Sequence, residues 1–270
     1  MNTSALENEL SRLIKIRDDN HWDTVRNQAK FTRSKILTPT GERVVWVPKD
    51  DSHNKDLQSS RSVGLGGVEK VEDLETSYAE GMKLTHTDTL RAEEVDELIH
   101  TLNKFGGSQG LPKISPVKMC EIGFRYPRLM NFYSDRYGIP AIGYDISTLA
   151  VEFGNSKGFN VKECDLNNLD QKPLDLEDSN IICMYHVLEH VKNPILTLRA
   201  ISKAIPSMGI IHIEVPIEGE NPQVEYGHLF GFHPGDLAQY CQFAGLNVVA
   251  SVTKNIAGAI FVERVACLKQ

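Results

Sequence analysis

A group of polar, titratable side chains follows an apolar run in the second half of the 270-residue chain. The run, at residues 180–184, is rich in β-branched residues, which predicts a strand buried on both faces of a parallel sheet. Directly after it come Tyr185, His186, Glu189 and His190. Ligands of open α/β sheets lie outside the carboxyl ends of the strands, so these side chains stand where binding or catalysis takes place. Each one alone is equally compatible with ending the strand and beginning a helix.

Acidic residues stand at the ends of two earlier strands. The first strand ends in Glu121, is followed by Gly123 and leads into a helix, and the second strand ends in Asp145. An acidic residue roughly 20 positions beyond such a strand–turn–helix junction is suited to hold the hydroxyls of a ribose. Neither Gly123 nor Asp145 is specific alone, because an Asp after a strand is often the N-cap of the next helix. Together they indicate an adenosine-containing cofactor without deciding which one.

Composition excludes several classes of function. The net charge of −7 gives no basic surface for phosphate backbones, so we expect no nucleic-acid partner. No run approaches the roughly 18 apolar residues of a membrane helix, and the N-terminus lacks the apolar core of a signal peptide, so we expect no membrane partner. The five cysteines are scattered without CxxC spacing, which is typical of buried thiols in a reducing compartment. We therefore expect a cytoplasmic protein.

Residues 1–110 are expected to form an extension of mixed structure. Apolar spacing and a capping-box pattern predict a helix over residues 4–16. A turn signal followed by β-branched and aromatic residues predicts a strand at 43–47, as the second arm of a hairpin. Residues 48–67 are polar and have no period, which indicates a flexible surface loop, and a further helix is predicted over 89–105. This extension would act as a lid, a substrate-binding element or the contact of a homodimer.

Residues 111–270 alternate short apolar runs with amphipathic segments, which predicts a parallel sheet with crossover helices. We expect seven strands, at residues 118–122, 141–145, 160–164, 180–184, 209–215, 246–252 and 259–268. We expect four helices, at residues 128–137, 147–156, 194–204 and 234–244. The last two strands have no helix between them, so we expect them to pair as an antiparallel hairpin. The predicted fold class is α/β with a mostly parallel sheet.

Several motifs taken together resemble the class I S-adenosylmethionine-dependent methyltransferases. They are Glu121-Ile-Gly123, Gly143-Tyr-Asp145, Cys164-Asp165-Leu166, the stretch HVLEHVKNP at 186–194, and the strand at 209–216 that ends in EVP. The resemblance covers about residues 113–270. It implies a Rossmann-like domain with helices on both faces of the sheet, S-adenosylmethionine as cofactor and S-adenosylhomocysteine as product. The reaction it implies is methyl transfer to an oxygen or nitrogen atom of a small molecule or glycan.

The resemblance also implies where the cofactor lies. The implied cofactor-binding residues are Glu121, Gly123, Arg125, Asp145, Ile146, Asp165, Leu166, Tyr185 and His186. Glu121 and Gly123 would face the methionine end of the cofactor, and Asp145 would accept from the ribose hydroxyls. Asp165 would accept from the adenine amine, with its apolar neighbour covering the ring. The two residues after the strand at 180–184 would line the methyl-donor pocket.

One departure from the family pattern concerns the first loop. The family has Gly-x-Gly there, whereas this chain has Arg125 and Pro127 at the later glycine positions. A glycine would tolerate positive φ and let the backbone approach the cofactor, so Arg125 could block the pocket or strain the turn. The arginine could instead pair with the cofactor carboxylate, and Pro127 suits the first position of a helix. A non-catalytic binding or scaffold protein that has lost the cofactor is therefore the alternative to an enzyme.

Methyl transfer to oxygen or nitrogen needs positioning and a base, and histidine titrates near neutral pH. We expect His186, His228 and Glu189 to be the catalytic residues, and His190 to order its loop. A metal site built from Glu189, His228 and His233 would have neither HxH nor HxxxH spacing, so we predict no metal. A nicotinamide-dependent dehydrogenase is disfavoured because the G-x-G-x-x-G pattern is absent.

Overall fold

The computed structural model describes residues 31–50, 81–106, 113–169, 174–176, 178–222, 227–257 and 260–269. The helix predicted at 4–16 lies outside the described residues, and so does the predicted loop at 48–67 from residue 51 onward. The division of the chain into an extension over 1–110 and a domain over 111–270 stays a prediction.

An antiparallel hairpin is the first described part of the chain. It consists of β1 (Phe31–Thr38) and β2 (Gly41–Pro48), which confirms the strand predicted at 43–47 and its place as the second arm. The Trp46 N–H of β2 donates a 2.7 Å hydrogen bond to the Leu229 carbonyl. The hairpin is therefore joined to a loop of the main domain.

Helix α1 (His86–Phe105) confirms the helix predicted at 89–105. It begins one turn earlier because Thr85 and Asp88 form a capping box, in which each side chain accepts from the other residue's backbone N–H. Its inner face is buried, with Val95 fully enclosed.

A seven-stranded sheet forms the centre of the described structure. Its strands are β3 (Met119–Ile122), β4 (Ala141–Asp145), β5 (Val161–Glu163), β6 (Ile181–Tyr185), β7 (Ile210–Pro216), β8 (Asn247–Ala257) and β9 (Ile260–Leu268). The order is β5-β4-β3-β6-β7-β9-β8; the first five run parallel, and β9 is antiparallel to both of its neighbours. This confirms the α/β class and the antiparallel C-terminal hairpin. Strand β8 extends beyond the predicted 246–252 because its ladder with β9 continues across two register shifts.

Helices cover both faces of this sheet, as the sequence predicted. They are α2 (Arg128–Tyr137), α3 (Thr148–Ser156), α4 (Pro194–Ala204) and α5 (Asp236–Phe243). On β6, Ile182 belongs to the hydrophobic cluster that contains residues of α4 and α5. The adjacent Cys183 belongs to the cluster that contains residues of α1, α2 and α3. None of the described helices has the length and apolar character needed to cross a membrane.

Charged side chains as well as apolar ones hold α1 against the sheet. Glu94 accepts a 2.8 Å hydrogen bond from Arg264 Nη1 on β9 and forms an ion pair with Lys254 on β8. Its other carboxylate oxygen lies 3.4 Å from His212 Nε2 on β7. Burial alone would raise the pKa of Glu94, but hydrogen bonds from these partners lower it to about 2. The helix is thereby joined to three strands.

Glu94→Gln should destabilise the folded protein by about 2 kcal/mol near neutral pH, because it removes the charge that these partners share. The folded pKa of about 2 lies below the ordinary value of 4.5, so the contribution is complete above 4.5 and is lost as the pH falls through this window. Urea unfolding of both proteins from neutral to acid pH should show the two stabilities converging. Glu93→Gln, at an exposed neighbouring position, is the control. A difference in the free energy of unfolding that does not change with pH would contradict this role of Glu94.

Candidate active site

The parallel strands β3 to β6 end at one edge of the sheet, and a cavity of about 380 Å³ lies beside the end of β3. It is bounded by the loop between β3 and α2, by α1 and by the end of β6. Residues from the predicted cofactor set that line it are Glu121, Gly123, Arg125 and Tyr185. The others, Asp145, Ile146, Asp165, Leu166 and His186, lie at or after the ends of β4, β5 and β6, outside its lining. The cavity thus lies beside the residues that were predicted to face the methionine end, and their role stays a prediction.

Glu121 places a buried carboxyl group against this cavity. The residue is 6% exposed, and its Oε2 atom has no hydrogen-bond partner among the described residues. Burial raises the pKa of Glu121 well above its ordinary value. A buried carboxyl oxygen without a partner is unfavourable unless a ligand supplies one. Glu121 therefore has the chemistry needed to accept from an ammonium group.

A charged cluster that sequence analysis did not identify also lines the cavity. Asp88 accepts hydrogen bonds from Arg91 Nη1 at 3.1 Å and from Arg128 Nε at 2.6 Å. Arg91 also pairs with Glu214, and its guanidinium carbon lies 4.3 Å from the centre of the Tyr185 ring. The helical periodicity of α1 could have revealed this cluster in the sequence, because it places Asp88 and Arg91 on the buried face of the helix.

The loop after β3 has the strain that the sequence suggested. Gly123 has a φ of +77° and donates to the Tyr144 carbonyl at 2.7 Å. Arg125 has a φ of +44°, and its N–H donates to Asp145 Oδ2 at 3.0 Å. Left-handed backbone at a non-glycine residue costs about 1–2 kcal/mol. Burial lowers the pKa of the Arg125 side chain, which forms part of the cavity wall.

Asp145 and Asp165 both accept local hydrogen bonds. Asp145 Oδ1 accepts from the Ser147 N–H at 2.9 Å, while Oδ2 accepts from Arg125. Burial raises the pKa of Asp145. Asp165 accepts from the Asn167 N–H at 2.9 Å. Because each carboxylate oxygen has two lone pairs, these bonds are compatible with further donors from a ribose and an adenine amine.

His186 is held between two carboxylates directly after β6. Its Nε2 lies 3.0 Å from Glu214 Oε1, and its Nδ1 lies 3.4 Å from Glu189 Oε1. Burial opposes the charged form of the ring, but the two carboxylates raise the pKa of His186 to about 9. In this arrangement the imidazole is protonated at neutral pH, donates a hydrogen bond to Glu214 and forms an ion pair with Glu189. It would act as a base only after losing one of these two carboxylates.

Glu189, His190 and His228 come together on the same side of the sheet edge. Their candidate ligand atoms all lie within 4.8 Å of one another. The rings of His190 and His228 meet edge to face, with centroids 4.9 Å apart. The structure therefore adds His190 to two of the predicted catalytic residues. The sequence analysis grouped His233 with Glu189 and His228. In the structure its Nε2 lies instead 3.6 Å from Glu220 Oε1.

Comparison with known proteins identifies the family. Residues 91–251 match the sequence model of a family described as a methyltransferase domain. The chain belongs to the methyltransferase domain family. The resemblance to class I S-adenosylmethionine-dependent methyltransferases is thereby confirmed, and S-adenosylmethionine is the cofactor. A search of curated proteins finds no significant match.

Three solved structures resemble this methyltransferase domain. A provisionally assigned sarcosine dimethylglycine methyltransferase from Galdieria sulphuraria has a TM-score of 0.52 and 11% identity, over 68% of this chain and 85% of that chain. A chain from the complex between the Haloferax volcanii Trm112 methyltransferase activator and a provisionally assigned methyltransferase has a TM-score of 0.48 and 13% identity, over 69% and 99% of the two chains. An S-adenosylmethionine-dependent methyltransferase from Mesorhizobium loti has a TM-score of 0.46 and 10% identity, over 60% and 94%. The first match supports the fold alone.

Gly123→Ala should destabilise the protein by about 1–3 kcal/mol more than Gly158→Ala. Both glycines have left-handed backbone, with φ of +77° and +84°, so both alanines incur a similar backbone penalty. A Cβ at Gly123 would clash with Val187 Cγ2, whereas a Cβ at Gly158 would meet no atom within 4 Å. Denaturant unfolding of the two variants and the wild type measures the difference. Equal destabilisation would mean that the first loop does not pack against the segment after β6.

Proposed function

We propose that this protein is an S-adenosylmethionine-dependent methyltransferase that transfers a methyl group to an oxygen or nitrogen atom of a small molecule or glycan. The observation that carries this proposal is the unpartnered Oε2 of buried Glu121, placed at the cavity beside the first loop in a chain of this family. Oε2 has no donor among the described residues, and the ammonium group of a bound methionine moiety would supply one.

The remaining predicted cofactor residues would bind the other parts of S-adenosylmethionine. Arg125 would pair with its carboxylate through a charge-assisted fork. Asp145 would accept from the ribose hydroxyls, and Asp165 would accept from the adenine amine with Leu166 against the ring. The bound cofactor supplies an electrophilic methyl group on sulfur. The contribution of the protein is then to align that carbon with the acceptor atom.

The end of the cofactor site near β6 would meet the acceptor. Tyr185 and His186 would line the methyl-donor pocket, with Gly123 and Ile146 shaping the cofactor side. His228 is oriented by Glu218, whose Oε1 lies 2.8 Å from its Nδ1, as the ring of a general base is oriented by a carboxylate. His186 would orient the acceptor while protonated.

The cellular setting is part of the same proposal. The five cysteines are all buried and none forms a disulfide, which suits a reducing, cytoplasmic location. A homodimer stays a prediction, as does the role of residues 1–110 as a lid, a substrate-binding element or a dimer contact.

A non-catalytic binding protein is the second candidate, and one observation favours it. Arg125 takes up left-handed backbone where the family has glycine, and it forms part of the cavity wall. Its side chain could occupy volume that the methionine end of the cofactor requires. The two candidates therefore differ in what Arg125 does.

Asp145→Asn should weaken binding of S-adenosylhomocysteine by about 1.5–3 kcal/mol, because an amide replaces the charged acceptor of the ribose hydroxyls. Calorimetric titration measures the affinity, with NAD as a ligand that should not bind. Since Asp145 also holds the backbone of Arg125, the thermal unfolding of the variant is compared with that of the wild type. Asp135→Asn, at an exposed position on α2, is the matched control. A wild-type protein that binds NAD, or neither ligand, would overturn the proposal.

Arg125→Gly distinguishes the enzyme from the non-catalytic candidate by the sign of its effect. If the guanidinium pairs with the cofactor carboxylate, the variant should bind S-adenosylhomocysteine about 1.5–3 kcal/mol more weakly, although glycine relieves the left-handed turn. Arg125→Lys, which keeps the charge but not the fork, should have an intermediate affinity. Tighter binding by the glycine variant, from an undetectable wild-type affinity, would favour the non-catalytic protein.

A further inference from the structure

We propose that Glu189, His190 and His228 form a binding site for a divalent transition-metal ion. Two imidazoles and one carboxylate are a common ligand set for Zn²⁺ and related first-row ions, and they leave coordination positions open. The three candidate ligand atoms lie within 4.8 Å of one another. Ligands about 2.1 Å from a shared ion are roughly 3.4 Å apart in tetrahedral geometry. Small side-chain rotations would therefore close the site.

The state of Glu189 is the strongest sign that this group can bind a cation. The residue is fully buried, and neither carboxylate oxygen accepts a hydrogen bond from the described residues. Its cationic neighbour is His186, whose Nδ1 lies 3.4 Å from Oε1 and forms an ion pair with it. That imidazole is also shared with Glu214, at 3.0 Å from Nε2. A buried carboxylate with so few donors is stabilised by a bound cation.

Both histidines are already oriented as metal-binding histidines usually are. His190 Nδ1 lies 3.1 Å from the Gly227 carbonyl oxygen, and His228 Nδ1 lies 2.8 Å from Glu218 Oε1. A ligating imidazole commonly donates its second N–H to a backbone carbonyl or a carboxylate, which fixes the tautomer. With Nδ1 as the donor in each ring, Nε2 is the atom that would bind the ion. His228 would then act as a metal ligand instead of as the general base.

The backbone also fixes the distance between the two segments that supply the ligands. The Glu189 carbonyl accepts hydrogen bonds from the N–H groups of Leu229 at 2.7 Å and Phe230 at 3.1 Å. These bonds hold the residue after His228 directly against the segment that carries Glu189 and His190. The three side chains therefore belong to one hydrogen-bonded junction rather than to two independent loops.

The consequence for the reaction rests on the proposed methyltransferase function. An acceptor hydroxyl bound at an open metal position would have a lowered pKa, and its proton would pass to solvent. Its oxygen would then form the bond to the methyl carbon, while the carbon–sulfur bond breaks and leaves its electron pair on sulfur as S-adenosylhomocysteine. The site therefore favours oxygen over nitrogen as the methylated atom.

Metal binding can be tested with the full-length chain and the metal alone. After EDTA treatment and dialysis, calorimetric titration with CoCl₂ or ZnCl₂ should show one ion bound per chain. Even the loss of an outer partner of a metal ligand costs 10–100-fold in affinity, so Glu189→Gln should weaken binding by at least about 100-fold. His233→Ala removes a nearby histidine outside the group and should bind the ion as tightly as the wild type. No binding, or equal binding by Glu189→Gln, would overturn the site.

A second measurement keeps the test decisive if a variant fails to fold. The proton NMR spectrum of the wild-type Co²⁺ form should contain two strongly shifted exchangeable signals, one from each Nδ1–H. Absence of both signals would overturn the assignment of the two histidines as ligands.

Titration of the same samples with S-adenosylhomocysteine separates this site from the proposed function. Metal binding without cofactor affinity would overturn the function and leave the site standing. Cofactor affinity without metal binding would overturn the site alone.

Discussion

The buried carboxylate of Glu214 joins the parts of the molecule that form the site. It is fully enclosed in β7, where it pairs with Arg91 of α1, Arg264 of β9 and His186 after β6. Burial would raise the pKa of Glu214, but these partners hold it below its ordinary value. A buried charge is stable only while its partners are in place. The helix, the C-terminal hairpin and the loop after β6 are therefore constrained to pack on β7 together.

Through Glu214, the cavity beside β3 and the histidine group after β6 share one network of charges. Arg91 connects it to Asp88, which also holds Arg128 at the cavity. His186 connects Glu214 to Glu189, in the segment after β6. The family match begins within α1, at residue 91, in keeping with the contribution of this helix to the cavity.

Two non-glycine residues with left-handed backbone lie next to this network. Arg125 has a φ of +44° and is held by the Asp145 carboxylate, and His186 has a φ of +56° and donates its N–H to the Glu214 carbonyl at 3.0 Å. Such conformations persist only where surrounding contacts impose them, and they concentrate at functional sites. Both turns present a cationic or titratable side chain at the sheet edge, which gives the strain a functional interpretation.

The sequence alone determined the elements of the domain and the sheet edge that carries the site. The alternation of apolar runs with amphipathic segments, the β-branched runs and the lack of a helix between the last two strands are local features. They therefore predicted the strands, the helices and the antiparallel hairpin. They also placed Glu121 and Asp145 at strand ends and Glu189 in the segment that follows β6. Only the tertiary structure joined Arg91 to Glu214 and His190 to His228, because these contacts unite segments distant in the chain. It also decided the charge of His186, since a pKa depends on which carboxylates the fold brings to the ring.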